Sequence, residues 1–131
     1  HLQDRLKLYC SDLFKRLPPA RYDIIISNPP YVNDQDFEEM PAEFKQEPAL
    51  ALHAEDQGLA LAIEIMNKAP DYLSEEGILI VEVGNSAPAL NERFPAVPFI
   101  WLEFERGGDG VFLLTAKDLN KLRRAVEGVV P

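Results

Sequence analysis

The sequence predicts an open α/β fold: parallel strands in one sheet, helices on its faces, and an antiparallel hairpin strand at the end. Two apolar runs carry the prediction, Tyr22-Asp23-Ile24-Ile25-Ile26-Ser27 and Ile78-Leu79-Ile80-Val81-Glu82-Val83. Both are continuous rather than alternating, as expected of strands covered on both faces. A helical stretch separates them, and a glycine-rich turn at Gly107-Gly108-Asp109-Gly110 joins two further strand-like segments near the end.

In chain order, the sequence opens on His1 without a methionine, as though cut from something longer. Leu6-Lys7-Leu8-Tyr9 alternates like a strand, and Cys10 would be a buried residue at its end. Ser11 or Asp12 can cap a following helical turn. The isoleucine run, rich in β-branched residues that suit a pleated surface, forms the next strand. Pro29 and Pro30 end it, because neither has an N–H to give a sheet ladder.

Residues 32–56 form a long connection with eight acidic residues and a single lysine, Lys45. A connection of that length is usually a functional lid or a disordered segment; this one reads either as a solvated surface loop or as a rim that attracts a basic substrate. Gly58 to Leu73 reads as a helix, with Leu59, Ala62, Ile63 and Met66 on its core face and Pro70 kinking or ending it. Glu75-Glu76-Gly77 is a turn. Glu82 stands out in the strand that follows, since a buried carboxylate needs partners; it is either structural or close to a site. Pro88 suits the first turn of a helix over Ala87 to Phe94. Phe99 to Glu105 and Val111 to Thr115 make the hairpin. Thr115 with Asp118 starts a last helix carrying Leu119, Leu122 and Val126.

Composition narrows the function classes. The 131 residues are 47% hydrophobic and 27% charged, ordinary for one globular domain. No apolar run approaches the ~20 residues that span a bilayer, so no membrane partner is expected. Cys10 is the only cysteine, which excludes an intrachain disulfide and fits a reducing cytoplasmic location. His1 and His53 have no ligand-spaced partners, so no metal is expected.

The chemistry concentrates at Asn28-Pro29-Pro30-Tyr31, beyond the carboxyl end of a strand, where open α/β sheets bind ligands. A residue before proline is held extended, which aims the Pro29 carbonyl beside the Asn28 side-chain oxygen. Two converging acceptors suit a planar NH2 group, and the Tyr31 ring can stack on the plane behind it or face a cation. Read as structure alone, the tetrapeptide is a turn.

Asn28-Pro29-Pro30-Tyr31 after an apolar strand resembles the signature of class I S-adenosylmethionine-dependent methyltransferases acting on planar nitrogens. Glu47-Pro48-Ala49-Leu50-Ala51-Leu52, Asp56-Gln57-Gly58-Leu59 and Glu82-Val83-Gly84-Asn85 resemble the glutamine-methylating branch. Within it, Pro98 to Phe104 and Gly107 to Phe112 are similar to the members that modify a large-subunit ribosomal protein. The resemblance implies the C-terminal portion of a Rossmann-like catalytic domain over residues 1–131, with S-adenosylmethionine as cofactor. It implies Asn28 and Pro29 as catalytic residues, and Pro30, Tyr31, Glu47 and Pro48 with them at the substrate. It also implies Asp12, Leu13 and Asn28 at the cofactor, with Asp12 accepting from the adenine amino group. The family's glycine-rich cofactor loop has no counterpart here, since all seven glycines fall from Gly58 onward. The chain by itself is therefore expected to bind the cofactor poorly and to be inactive alone.

Charge weighs among the alternatives. Residues 22–110 hold 18 of the 22 acidic residues and four of the 13 basic ones. Such a face repels phosphates, which dominate nucleic-acid affinity, so adenine methylation and a DNA partner are disfavoured. It attracts a basic protein, as a ribosomal protein is. Methylation of a peptide-chain release factor uses the same amide chemistry, and a non-catalytic binding fragment is a different class. Without its family neighbours, the Ile24-Ile25-Ile26 edge would be open and pairable. It is expected to be covered by Leu6 to Tyr9 or by a second copy in a homodimer.

Overall fold

The computed structural model of the chain describes residues 4–29 and 59–126. Pro30, Tyr31, Glu47, Pro48 and the acidic connection over 32–56 lie outside the described residues. The elements are β1 (Tyr22–Ser27), α1 (Ala60–Lys68), β2 (Leu73–Glu82), α2 (Ala87–Arg93), β3 (Ile100–Trp101), β4 (Val111–Thr115) and α3 (Ala116–Val126). They form one mixed sheet in the order β1-β2-β4-β3, with β1 parallel to β2 and the other pairs antiparallel.

The alternation of side chains along each strand decides where the core sits. Leu79 and Val81 of β2 and Phe112 and Leu114 of β4 are paired neighbours, all at 0–1% exposure. They join Ile63, Ile65 and Met66 of α1, Leu90 of α2 and Ala116 and Leu119 of α3 in one buried cluster. Burying a side chain of this size is worth about 1.5–3 kcal/mol. Phe99 and Trp101 stand edge-on or tilted around Phe112, with centroids 5.0 and 5.7 Å from it, and the Trp101 indole N–H donates to Asn91 of α2. The antiparallel hairpin strand expected near the end is thus present, with β3 only two residues long.

Several expectations need correction. The isoleucine strand is not covered on both faces: Ile24 is 56% and Ile26 72% exposed. Ile100 is exposed as well, and Ile78 and Ile80 are half-buried, so one sheet face is packed by helices and the other is open among the described residues. A continuous apolar run cannot say which of its residues turn inward. Leu6 to Tyr9 is not a strand; Leu6, Leu8 and Tyr9 are exposed, and Cys10 with them, because no neighbouring strand offers a ladder. The β1 edge is therefore not covered by this segment.

The expected helix to Leu73 stops at Lys68, continues as a 3-10 turn over Ala69–Asp71 around Pro70, and gives way to β2 at Leu73. Glu75 to Gly77 lies inside β2 as an irregularity: Tyr22 pairs with Leu73 and Ile24 with Ile78, so extra residues of β2 are accommodated there. A Cβ on Gly77 would meet the Tyr22 and Ser74 carbonyl oxygens at 3.0 Å, which explains the glycine. The α2 boundaries and Pro88 in its first turn are as expected. The Thr115 hydroxyl accepts the Asp118 N–H at 3.1 Å, starting α3 as its sequence implies.

Candidate active site

β1 and β2 run side by side through the pair Ser27 and Val81, so their carboxyl ends emerge together. Asn28, just beyond β1, is exposed, and Pro29 is half-buried. A residue before proline is biased to extended backbone, and Pro29 has no N–H to compete with its own carbonyl as an acceptor.

The neighbouring end of β2 is fixed by backbone alone. The N–H groups of Val83 and Gly84 both donate to the Gly110 carbonyl, at 2.7 and 3.2 Å. Gly110 has φ +74°, and a Cβ there would lie 2.1 Å from the Gly84 carbonyl oxygen. The glycine turn before β4 thus packs main chain on main chain against the end of β2, on the side of β2 away from β1. A Cβ on Gly110 has no room in this seam, and the sequence, which placed Gly110 only in the hairpin turn, did not reveal its contact with Gly84. The signal was available in two glycines flanking paired strands.

Asp12 and Leu13 do not join this constellation. Their turn is held by Phe14, which stacks on Tyr72 at 4.6 Å, while the Tyr72 hydroxyl donates to the Phe14 carbonyl. The Tyr72 carbonyl in turn accepts the Tyr22 N–H at the start of β1. Asn28 lies beyond the other end of that six-residue strand, roughly 17–20 Å away. Asp12 is exposed and paired with Lys15 at 3.4 Å, and Leu13, at φ +54°, packs against the core. A cleft of about 430 Å³ lined by Leu17, Arg21, Asp71 and Tyr72 belongs to this same far end. The carboxylate of Asp12 has the chemistry of an adenine acceptor, but its position here does not assemble a cofactor pocket with Asn28. Among the described residues there is no group of three or more histidine, cysteine or acidic side chains placed to hold a metal. No described helix is long and apolar enough to cross a membrane.

The chain is thus a mixed α/β sheet with Asn28 and Pro29 just beyond the carboxyl end of a parallel strand, an arrangement consistent with the C-terminal part of a methyltransferase. Over 124 residues the chain is 52% identical to the ribosomal protein uL3 glutamine methyltransferase of Francisella tularensis subsp. tularensis, covering 95% of the chain and 40% of that protein. It is 43% identical over 116 residues to the protein of the same name from Xanthomonas campestris pv. campestris, covering 88% of the chain and 38% of that protein. The chain is homologous to the ribosomal protein uL3 glutamine methyltransferases over nearly its whole length, and spans about two fifths of theirs. No family model matches the chain. No solved structure matches it either.

Proposed function

We propose that this chain is the C-terminal portion of the catalytic domain of an enzyme that methylates a glutamine side-chain amide of ribosomal protein uL3, using S-adenosylmethionine. The observation that carries this reading is the placement of Asn28 and Pro29 at the exposed carboxyl end of β1, in a chain 52% identical to a relative of that name. A glutamine amide nitrogen is a poor nucleophile because its lone pair is delocalised into the carbonyl. The Asn28 side-chain oxygen and the Pro29 carbonyl accept its two N–H groups and hold the nitrogen in one orientation. Positioning of this kind is worth up to roughly 7–11 kcal/mol of barrier. The cofactor supplies the electrophilic methyl group. Once methylated, the cationic amide nitrogen is acidic enough to lose its proton to water without a dedicated base. Asp12, Leu13 and Asn28 remain the residues proposed to face the cofactor, and Pro30, Tyr31, Glu47 and Pro48 the substrate. Because Asp12 and Asn28 are not brought together here, no step is assigned to the cofactor site.

The partner implied is a basic protein in the cytoplasm, with neither DNA nor membrane, drawn to a chain of net charge −9. By itself, the chain is also proposed to associate as a homodimer across β1, the sheet-edge strand on which Ile24 and Ile26 are exposed. The function is tested by incubating the full enzyme that carries this chain with S-adenosylmethionine and purified ribosomal protein uL3 or release factor. Mass spectrometry locating a methyl group on a uL3 glutamine supports the reading. Transfer to the release factor alone, or to neither protein, contradicts it.

A further inference from the structure

We propose that Glu82 is a positioning residue for Asn28, an inference that rests on the glutamine-amide reading above. Glu82 is the exposed last residue of β2, following the apolar run Ile78 to Val81. The pair Ser27–Val81 is the last in the parallel ladder, and continuing its register by one residue would set Asn28 beside Glu82. Side chains alternate along both strands. Val81 is fully buried while Glu82 is exposed, and Ile26 and Asn28 are both exposed, so Asn28 and Glu82 share the open face. Neighbouring strands lie about 4.8 Å apart, within reach of two such side chains.

On its other side Glu82 is paired with Val111, which offers no polar side chain. The Val83 and Gly84 N–H bonds to Gly110 pin the main chain immediately after it. The two side chains are not hydrogen-bonded to each other in the structure; both are exposed, and the proposal requires that rotation of their torsions bring them together.

The chemistry gives this juxtaposition a direction. An asparagine amide has an oxygen and an NH2 of nearly the same shape, and only the oxygen can accept from a substrate N–H. An ionised carboxylate only accepts. Beside Asn28 it takes an N–H of the Asn28 NH2 group in a charge-assisted bond, leaving the Asn28 oxygen turned to the substrate. Glu82 touches no substrate in this arrangement and acts only through Asn28.

The test compares Glu82→Ala and Glu82→Gln in the full enzyme, with wild type as control, and also follows the Asn28 side-chain amide signal by NMR in this chain. In Glu82→Ala, kcat falls roughly tenfold or more while KM for the protein substrate stays within about twofold. Glu82→Gln, whose amide oxygen still accepts, restores most of kcat. The Asn28 side-chain amide resonance moves in Glu82→Ala and stays close to wild type in Glu82→Gln. Wild-type turnover in Glu82→Ala overturns the proposal, as does a Glu82→Gln enzyme as slow as Glu82→Ala. Should the wild-type enzyme methylate no glutamine, the functional reading fails on its own. The NMR comparison then decides this inference, and an Asn28 signal indifferent to Glu82→Ala rejects it.

Discussion

The Gly84 carbonyl oxygen occupies the space in which a Cβ on Gly110 would have to sit, at 2.1 Å. That contact joins the end of β2 to the turn before β4. Gly110→Ala therefore meets both a clash with backbone and the strain of a side chain at φ +74°. Strain of that kind alone costs about 1–3 kcal/mol. Denaturant unfolding of the chain should show a loss of about 2 kcal/mol or more, whereas an unchanged midpoint would mean that the seam opens freely.

Arg123 of α3 ties the helix to the end of α1, donating to the Asn67 carbonyl and to the Asp71 carboxylate at 2.8 Å. The ion pair is substantially exposed on the Asp71 side, so alone it is worth at most about 1 kcal/mol. The bond to the Asn67 carbonyl is part-buried. Arg123→Ala should consequently destabilise the chain more than Asp71→Asn does. Equal losses in thermal unfolding would show that the ion pair, and not the carbonyl, carries the contact.

The start of α3 gives a smaller effect. Thr115→Ala removes the hydroxyl that accepts the Asp118 N–H and should cost about 0.5–2 kcal/mol. Thr115→Ser keeps the acceptor and should recover most of it in the same unfolding measurement.

Among the described residues β1 is an edge strand of the sheet, and Ile24 and Ile26 are exposed on it. Light scattering of the isolated chain at micromolar concentration should give twice the mass of 14.8 kDa. Ile26→Lys, a charge on the edge strand, should return it to a monomer with little loss of stability. A wild-type monomer would refute association through this edge.

How far the sequence carried depends on the kind of signal. Sequence patterns located β1, β2, the hairpin, α2 and the start of α3, because β-branched runs, Pro88 and Thr115 act locally. It did not distinguish the faces of β1. Three consecutive isoleucines look alike from either side, and only pairing with Ile78, Leu79 and Ile80 decides that Ile25 turns inward. Leu6 to Tyr9 alternated as a strand does, yet a strand exists only where another offers a ladder. Asn28 and Pro29 were legible as a candidate site because a proline restricts the backbone of the residue before it. The surroundings were not legible: the register that brings the end of β1 beside that of β2 joins segments more than fifty residues apart, and the Gly84–Gly110 seam joins two turns that are distant along the chain.

The central claim is that Asn28 serves the substrate amide and not the fold. Its side chain is exposed at a strand end, away from the buried cluster. The most direct measurement is methyl transfer to ribosomal protein uL3 by the full enzyme carrying Asn28→Ala, alongside its thermal unfolding. The account predicts transfer reduced to background with an unfolding midpoint within about 2–4 °C of wild type. An Asn28→Ala enzyme that keeps more than about a tenth of wild-type kcat would contradict it.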